Sequence, residues 1–374
     1  MYAIAIRNLI YDKTRFAIAL VGVIFSVILI SAQAGIYLGF RENAALIITH
    51  TEADVWVTSK NSRNFDFSQA IPERKVNQVL QVQGVASAEK LMLGWGIIKN
   101  PDGGSEQVEV IGYNPDSGIG GPWTMRQGRL EDVKGGTYAI MDESAQARLG
   151  AFAVGDYREV LGHRLKIVGV SGEAKSLTTA PFVFTSYQTA QRVLAYLGKE
   201  NTVFILVRVL PGADPREVAE EIRNTVDHVD VYTKAEYTWK TKQYWTFETG
   251  VGFGFLLTMV MAFIVGIVIV GQTIYSSTVD HLKEFGTLKA IGATNRHIYQ
   301  IIFNQAFINA ILGYVVGAAL TLLARGLLDR VGIELTLPPE TMVGILGATL
   351  LMCFFAGFFS VWKALQVEPA AVFR

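Results

Sequence analysis

Residues 16–40 read FAIALVGVIFSVILISAQAGIYLGF, a stretch that contains no charged side chain. Three more uncharged, apolar stretches cover residues 249–279, 298–324 and 341–362. An α-helix needs about 20 such residues to cross roughly 30 Å of hydrocarbon. The sequence therefore predicts four transmembrane helices, one near the N-terminus and three close together near the C-terminus.

The region between the first two apolar stretches, residues 41–248, has ordinary mixed polarity and is long enough to bury a core of its own. Its patterns predict an early β-α-β-β unit and a late β-α-β unit, which we expect to pair into one split α+β module. The early unit comprises a strand at 54–58, a helix at 72–82, and a hairpin of 85–98 and 107–113 around Asn100–Gly104; the late unit comprises a strand at 204–210, a helix at 214–226 and a strand at 229–232.

Residues from about 114 to 200 are then expected to form an inserted subdomain. Its strands are predicted at 138–142, 165–172 and 182–185, and its helices at 143–149 and 186–197. The fold class that follows is an α-helical membrane protein with four transmembrane helices. An α+β extracytoplasmic domain is inserted between helices 1 and 2.

The positions of basic residues indicate the orientation. Residues 1–15, 280–297 and 363–374 together carry eight Lys and Arg residues, whereas the loop at 325–340 carries only Arg325 and Arg330. By the positive-inside rule both termini are cytoplasmic, and the large domain lies on the other side of the membrane. The chain has no net charge, which gives no reason to expect a nucleic-acid partner.

Two points near the N-terminus have alternative interpretations. Residues 1–15 form either an amphipathic helix lying in the membrane interface or a plain cytoplasmic extension of the first span. Residues 16–40 are too long for a typical signal-peptide core, although Ala32-Gln33-Ala34 fits a cleavage pattern. The one cysteine, Cys353, falls in the last span, so we expect no disulfide in the outer domain.

No catalytic or metal-binding constellation is recognisable. The chain has no G-x-x-x-x-G-K-[ST] phosphate loop and no H-E-x-x-H, C-x-x-C or G-x-S-x-G motif, and its five histidines are scattered. Residues 118–121 (GIGG) could form an anion-binding nest, but a plain turn is the simpler interpretation. We therefore expect neither enzymatic activity nor a bound metal. The spans also lack an ionisable residue near their centres, which disfavours a channel or secondary transporter.

Two glycine pairs have the spacing that lets membrane helices approach closely, Gly250 with Gly254 and Gly313 with Gly317. The second apolar stretch is longer than the hydrocarbon requires. It either tilts or extends beyond the bilayer as a stalk, and the aromatic residues at 239–245 are typical of an interfacial belt leading into it.

The segment between the second and third spans is the most distinctive cytoplasmic feature. Phe285, Leu288 and Ile291 lie at helical spacing, with Lys289 on the opposite face. Gly286 and Gly292 permit tight turns, and the small side chains of Ala290 and Ala293 would fit a groove. Such a helix can receive force from a partner, although a solvated connector has the same pattern.

Residues 284–293 (EFGTLKAIGA) resemble the "R-E-I-G-x-L-R-A-L-G-A" signature of the MacB/FtsX superfamily of ABC transporter permeases. Lys283 stands where that signature has arginine, and Phe285 replaces isoleucine. The C-terminal VEPAAVFR, with Glu368, Pro369 and Arg374, resembles the family's closing "D-P-x-x-A-L-R" segment. In the outer domain, residues 110–116 (VIGYNPD) are similar to the DevC-type permeases.

The resemblance implies that two copies of this chain work with a separate ATPase subunit, which binds ATP and Mg²⁺, while this chain itself holds no cofactor. ATP-driven closure would pass through a cytoplasmic coupling helix to the outer domains, which move substrate outside the membrane. The implied coupling residues are Lys283, Glu284, Phe285, Gly286, Leu288, Lys289, Ala290, Ile291, Gly292 and Ala293.

For DevC-type permeases the further implied partners are a periplasmic adaptor protein, a TolC-like outer-membrane channel and membrane lipids. The location is then the inner membrane, and the cargo is a lipid, glycolipid or other amphiphile. Three alternatives are an FtsX-like regulator of a cell-wall hydrolase, a membrane sensor and an integral-membrane enzyme. The size of the outer domain disfavours the first, and the short cytoplasmic segments disfavour the second.

Overall fold

The computed structural model describes residues 13–176, 180–280, 287, 294–330 and 335–365. The chain divides into two compact units. The membrane unit comprises Met1–Gly39 and Val251–Arg374, and the outer unit comprises Phe40–Gly250.

The four expected transmembrane helices are confirmed. Helices are numbered in chain order, and the membrane unit contains α1 (Lys13–Asn43), α8 (Val251–Asp280), α9 (Asn295–Arg330) and α10 (Pro339–Leu365). Their apolar portions, of 28, 30, 30 and 20 residues, are each long enough to cross a bilayer. Most of the predicted helix over residues 1–15 lies outside the described residues.

Contacts between the membrane helices give their directions. Gly22 and Ser26 of α1 lie beside Ile269 and Gly266 of α8, so these two helices are antiparallel. Gly313 and Gly317 of α9 lie beside Val23 and Val27, so α9 runs parallel to α1. This alternation is what four successive membrane crossings require. The helices enclose an apolar core that includes Val23, Val27, Ala262, Val270, Ile302, Ala310, Met352 and Ala356.

Strands from the early and the late predicted units lie side by side in the outer unit. Four strands, β1 (Val55–Ser59), β3 (Val85–Lys99), β11 (Phe204–Val209) and β12 (Val229–Thr233), lie in the order β12-β1-β11-β3 with antiparallel pairing. Helices α3 (Lys75–Leu80) and α6 (Pro215–Thr225) cover one face. Val55 and Val57 point to that face and Trp56 to the other, as the period of two along a strand dictates.

The long strand β3 links the split module to the predicted insert. The long strand β3 pairs with β11 along its first half and, from Met92 onward, with β4 (Ser105–Tyr113). Strand β4 then pairs in parallel with β9 (Phe182–Ser186). A 15-residue strand therefore reaches across both parts of the sheet and carries its hairpin partner to the strands of the predicted insert.

The rest of the insert extends the same sheet. Strand β6 (Tyr138–Asp142) lies between β9 and β8 (His163–Gly172), and β5 (Thr124–Gln127) forms the far edge. The predicted hairpin turn is confirmed, since the Asn100 N–H donates to the Gly104 carbonyl at 2.8 Å. The remaining elements are α2 (Leu46–His50), β2 (Ile71–Pro72), α4 (Gln146–Leu149), β7 (Tyr157–Val160), α5 (Tyr187–Val193), β10 (Asn201–Thr202) and α7 (Lys234–Gln243).

Candidate functional site

The sequence places the functional elements in the segment between α8 and α9 and in the C-terminal motif. The predicted site residues of both elements lie outside the described residues. Those between α8 and α9 are Lys283, Glu284, Phe285, Gly286, Leu288, Lys289, Ala290, Ile291, Gly292 and Ala293, and those of the C-terminal motif are Glu368, Pro369 and Arg374. The described flanks show where the first segment is attached. Helix α8 ends at Asp280, and α9 opens at Asn295 after Thr294, whose N–H donates to His297 Nδ1 at 3.2 Å.

The third span packs against the first through its two spaced glycines. A β-carbon on Gly317 would lie 2.8 Å from Val27 Cβ, and one on Gly313 would lie 2.7 Å from Val23 Cβ. Real carbon atoms do not approach so closely, so any larger residue forces the helices apart. Close packing is present at this pair, and it holds α1 and α9 in contact over about one helical turn.

A second close contact, which the sequence analysis missed, joins α1 to α8. A β-carbon on Gly266 would lie 2.6 Å from Ser26 Oγ and would also clash with Met352 of α10. Gly266 therefore lies where three helices meet. Its signal in the sequence was weak, because it has no glycine partner at a spacing of four.

The other glycine pair behaves differently from the expectation. Gly250 precedes α8 and has φ of +75°, so it is a joint in the backbone and not a packing residue of the helix. A β-carbon on Gly254 would meet no described atom of this chain within 4 Å. Within the described part of one chain, Gly250 and Gly254 therefore make no close contact of the kind seen at Gly313 and Gly317.

The polar groups of the spans serve the helices themselves. The hydroxyls of Thr273, Thr278, Thr321 and Thr349 each donate to the carbonyl four residues earlier, at 2.7–2.9 Å. Buried Ser26 and Asn309 are uncharged. Within residues 16–40, 251–279, 299–324 and 341–358, no Asp, Glu, Lys, Arg or His occurs. These segments therefore offer no charged path for an ion or proton through the bundle.

The polypeptide leading into the second span is rooted in the core of the outer unit. Helix α7 is capped by Thr233 and Glu236 in a reciprocal capping box. The ring of Tyr237 is fully buried between Trp56, Phe204 and Tyr232, with centroid distances of 5.3–6.1 Å. Its hydroxyl bonds Ser68 Oγ at 3.1 Å. One π-helical turn, Tyr244–Glu248, then follows before Gly250.

A buried carboxyl group holds this π turn. Asp66 is 6% exposed, and its Oδ2 accepts hydrogen bonds from Trp245 Nε1 and Asn64 Nδ2, each at 2.8 Å. Burial raises the pKa of the Asp66 carboxyl from 3.8 to about 6, although the bond from Trp245 opposes the rise. Sequence patterns gave no signal for this pair, because 179 residues separate its members.

The outer unit also contains a polar cavity of about 330 Å³ at the carboxyl ends of β4 and β9. Glu73 lies beside it and accepts hydrogen bonds from Tyr187 at 2.6 Å, Gln191 at 2.8 Å and Lys90 at 2.9 Å. Asn114 donates to Glu89 at 2.9 Å. Burial and the Glu73 carboxylate raise the pKa of Tyr187, which keeps its hydroxyl neutral. This cavity can hold a small polar group.

Residues 118–121 do not form an anion nest. The Gly118 N–H donates to the Asn114 carbonyl at 2.9 Å, and the Gly121 N–H donates to the Gly118 carbonyl at 3.1 Å. These donors are used inside the turn. Among the described residues, no group of three or more His, Cys, Asp or Glu side chains is placed to hold a metal ion.

Comparison with known families assigns both halves of the chain. Residues 16–225 match the model of the MacB-like periplasmic core domain, and residues 244–369 match that of the FtsX-like permease C-terminal region.

Similar full-length proteins occur in mycobacteria and in an archaeon. An uncharacterised ABC transporter permease of Mycobacterium tuberculosis is 26% identical over 372 residues, which span 99% of this chain and 98% of that protein. One of Mycobacterium bovis is 26% identical over 375 residues, with the same coverage. One of Methanocaldococcus jannaschii is 22% identical over 233 residues, or 59% of this chain and 57% of that protein.

Among solved structures, the periplasmic region of MacB from Actinobacillus actinomycetemcomitans aligns with a TM-score of 0.40 and 14% identity, covering 50% of this chain and 92% of that one. The extracellular domain of the noncanonic ABC-type transporter YknZ from Gram-positive bacteria aligns with a TM-score of 0.36 and 13% identity, covering 48% and 98%.

Replacing Gly313 by alanine should destabilise the membrane unit by about 1–3 kcal/mol, because the added carbon overlaps Val23. Gly326→Ala in the same helix is the matched control, since its β-carbon would meet no described atom within 4 Å. Thermal unfolding of the detergent-solubilised protein compares the two. Equal melting temperatures would contradict the packing described for α1 and α9.

Asp66→Asn should change how stability depends on pH. A carboxyl whose pKa is raised on folding contributes stability that is fully present below pH 3.8 and is lost as the pH rises through about 6. Wild-type stability should therefore gain about 1.4 kcal/mol from this group between pH 7.5 and pH 5. The variant should lack that gain in melting experiments, and an identical gain would show that Asp66 does not titrate in this range.

Proposed function

We infer the function from one premise: the chain belongs to the MacB/FtsX superfamily of ABC transporter permeases. An ABC permease works with an ATPase partner. We propose that this permease transmits motion driven by that partner, from the cytoplasmic segment between α8 and α9 to the outer unit. The cargo, a lipid, glycolipid or other amphiphile, is moved outside the membrane and not through the helices.

The observation that carries this proposal is the contrast between the membrane unit and the linker that leaves it. Residues 16–40, 251–279, 299–324 and 341–358 of the spans contain no charged residue, and the spans pack through Gly313, Gly317 and Gly266, which favours a compact bundle over a pore. The segment that leads into α8, residues 234–250, is in contrast anchored in the core of the outer unit by Tyr237. A displacement of α8 along its axis would therefore act on the sheet of the outer unit.

The remaining parts of the proposal concern location and assembly. Both termini are cytoplasmic and the outer unit is periplasmic, as the distribution of Lys and Arg favours. A second copy of the chain completes the membrane assembly. A periplasmic adaptor and a TolC-like outer-membrane channel continue the path, as in the DevC-type permeases that residues 110–116 resemble. The inner membrane is the corresponding location.

Lys289→Glu should weaken binding of the ATPase subunit, because it reverses the charge on the polar face of the segment that docks it. Co-purification of the ATPase with the tagged permease measures this loss. Arg325→Glu is the matched control, since it makes the same charge change near the end of α9 that is expected on the opposite side of the membrane. Equal recovery with both variants would exclude docking through Lys289.

Gly292→Glu or Ala290→Glu should abolish ATP-dependent transport and leave the outer unit folded. Each places a long charged side chain where the segment presents its smallest surface. Transport is followed in proteoliposomes with the ATPase subunit present, and near-ultraviolet circular dichroism reports the buried aromatic rings. Normal transport by both variants would contradict the coupling role of this segment.

A further inference from the structure

The loop between β1 and β2, residues 60–69, holds an aromatic side chain outward while its neighbours are buried. Phe65 and Asp66 are 2% and 6% exposed, whereas Phe67 between Asp66 and Ser68 is 49% exposed. The backbone is fixed on both sides of this side chain. The Phe67 N–H donates to Asn64 Oδ1 at 3.3 Å, and Ser68 Oγ donates to the Asn64 carbonyl at 3.0 Å.

The exposed ring belongs to an aromatic cluster. Its centroid lies 6.0 Å from that of Tyr244, 6.3 Å from that of Trp95 and 6.4 Å from that of Trp245. Trp245 in turn contacts Phe40 at 5.7 Å. Two further exposed rings lie on the segment that leads into α8, residues 234–250: Trp239 is 61% exposed and Phe247 is 71% exposed. An exposed ring that extends a cluster of half-buried rings is typical of a surface that a partner or a membrane covers.

The position of this cluster along the chain indicates what covers it. Phe40 ends the first uncharged stretch, and Trp245 precedes the first residue of α8 by six positions. At 1.5 Å per helical residue, Trp245 lies only about 9 Å of chain from the second span. Phe40 and Trp245 are therefore near the points in the sequence where the polypeptide leaves the hydrocarbon of the bilayer. Trp and Tyr side chains are typical of that interfacial level.

The charges of the loop point to the kind of lipid. Lys60 and Arg63 are exposed, and neither forms an ion pair with a described residue. The one acid within residues 60–69, Asp66, is buried. Exposed basic residues beside an exposed aromatic ring are the combination that binds the interface of an anionic bilayer.

We propose that residues 60–69 form a third membrane contact of the outer unit, in addition to its two covalent connections to the spans. Phe67 enters the interfacial zone of the bilayer, and Lys60 and Arg63 meet anionic phospholipid headgroups. The Asp66–Trp245 hydrogen bond ties this loop to the π turn that precedes α8. The contact is independent of which cargo the permease moves.

The test uses the full-length chain with Cys353→Ala, so that a single introduced cysteine can carry a nitroxide label. The labels are placed at Phe67→Cys and, as control, at Val154→Cys, which is 45% exposed in the insert. The labelled chain is placed in nanodiscs that contain phosphatidylcholine and phosphatidylglycerol at 7:3. At position 67, oxygen should relax the nitroxide label more strongly than a nickel chelate does, and at position 154 the nickel chelate should be the stronger of the two. Equal, water-like accessibility at both positions would overturn the proposal.

A label at Lys60→Cys retains Phe67, so the proposal stays testable if the Phe67 variant does not fold. It should report the headgroup level, and a fully aqueous signal there would also overturn the proposal. The charge contribution is tested with Arg63→Glu, which should move the position 60 label toward water in the 7:3 nanodiscs. Arg216→Glu, an exposed arginine of α6, is the matched control. An equal response to both variants would exclude recognition of anionic lipid.

Discussion

The burial of Tyr237 is the interaction on which the rest of this structure depends. It packs among Trp56 of β1, Phe204 of β11 and Tyr232 of β12, and so fixes α7 to the sheet. The segment between α7 and the second span is short, because only one π turn and Gly250 precede the start of α8. The proposed transmission of movement from α8 to the outer unit requires this firm attachment of α7 and this short connecting segment.

The membrane unit meets a different physical constraint. Hydrocarbon gives no hydrophobic driving force for helix association, so contact depends on close van der Waals packing. The glycines at positions 266, 313 and 317 supply it by allowing Ser26, Val23 and Val27 to lie against the neighbouring backbone. Threonine hydroxyls return to their own helix carbonyls. The bundle is in consequence closely packed at these contacts.

Features encoded locally could be predicted from the sequence. The four spans follow from length and apolarity, and the hairpin follows from Asn100–Gly104. The start of α6 follows from Asp214 and Pro215, and in the structure the Asp214 side chain caps this helix. Features that depend on distant partners could not be predicted. The Asp66–Trp245 bond and the contact of Gly266 with Ser26 have no local signal. The pairing of one strand, β3, first with β11 and then with β4 has no local signal either.

The central claim is that nucleotide turnover below the membrane changes the arrangement of the outer units. Electron–electron resonance between two copies labelled at Leu210→Cys in the Cys353→Ala background, reconstituted with the ATPase subunit, measures this directly. Leu210 is 49% exposed at the end of β11. The account predicts that the distance distribution between the two labels shifts when ATP replaces ADP. An unchanged distribution during active hydrolysis would contradict it.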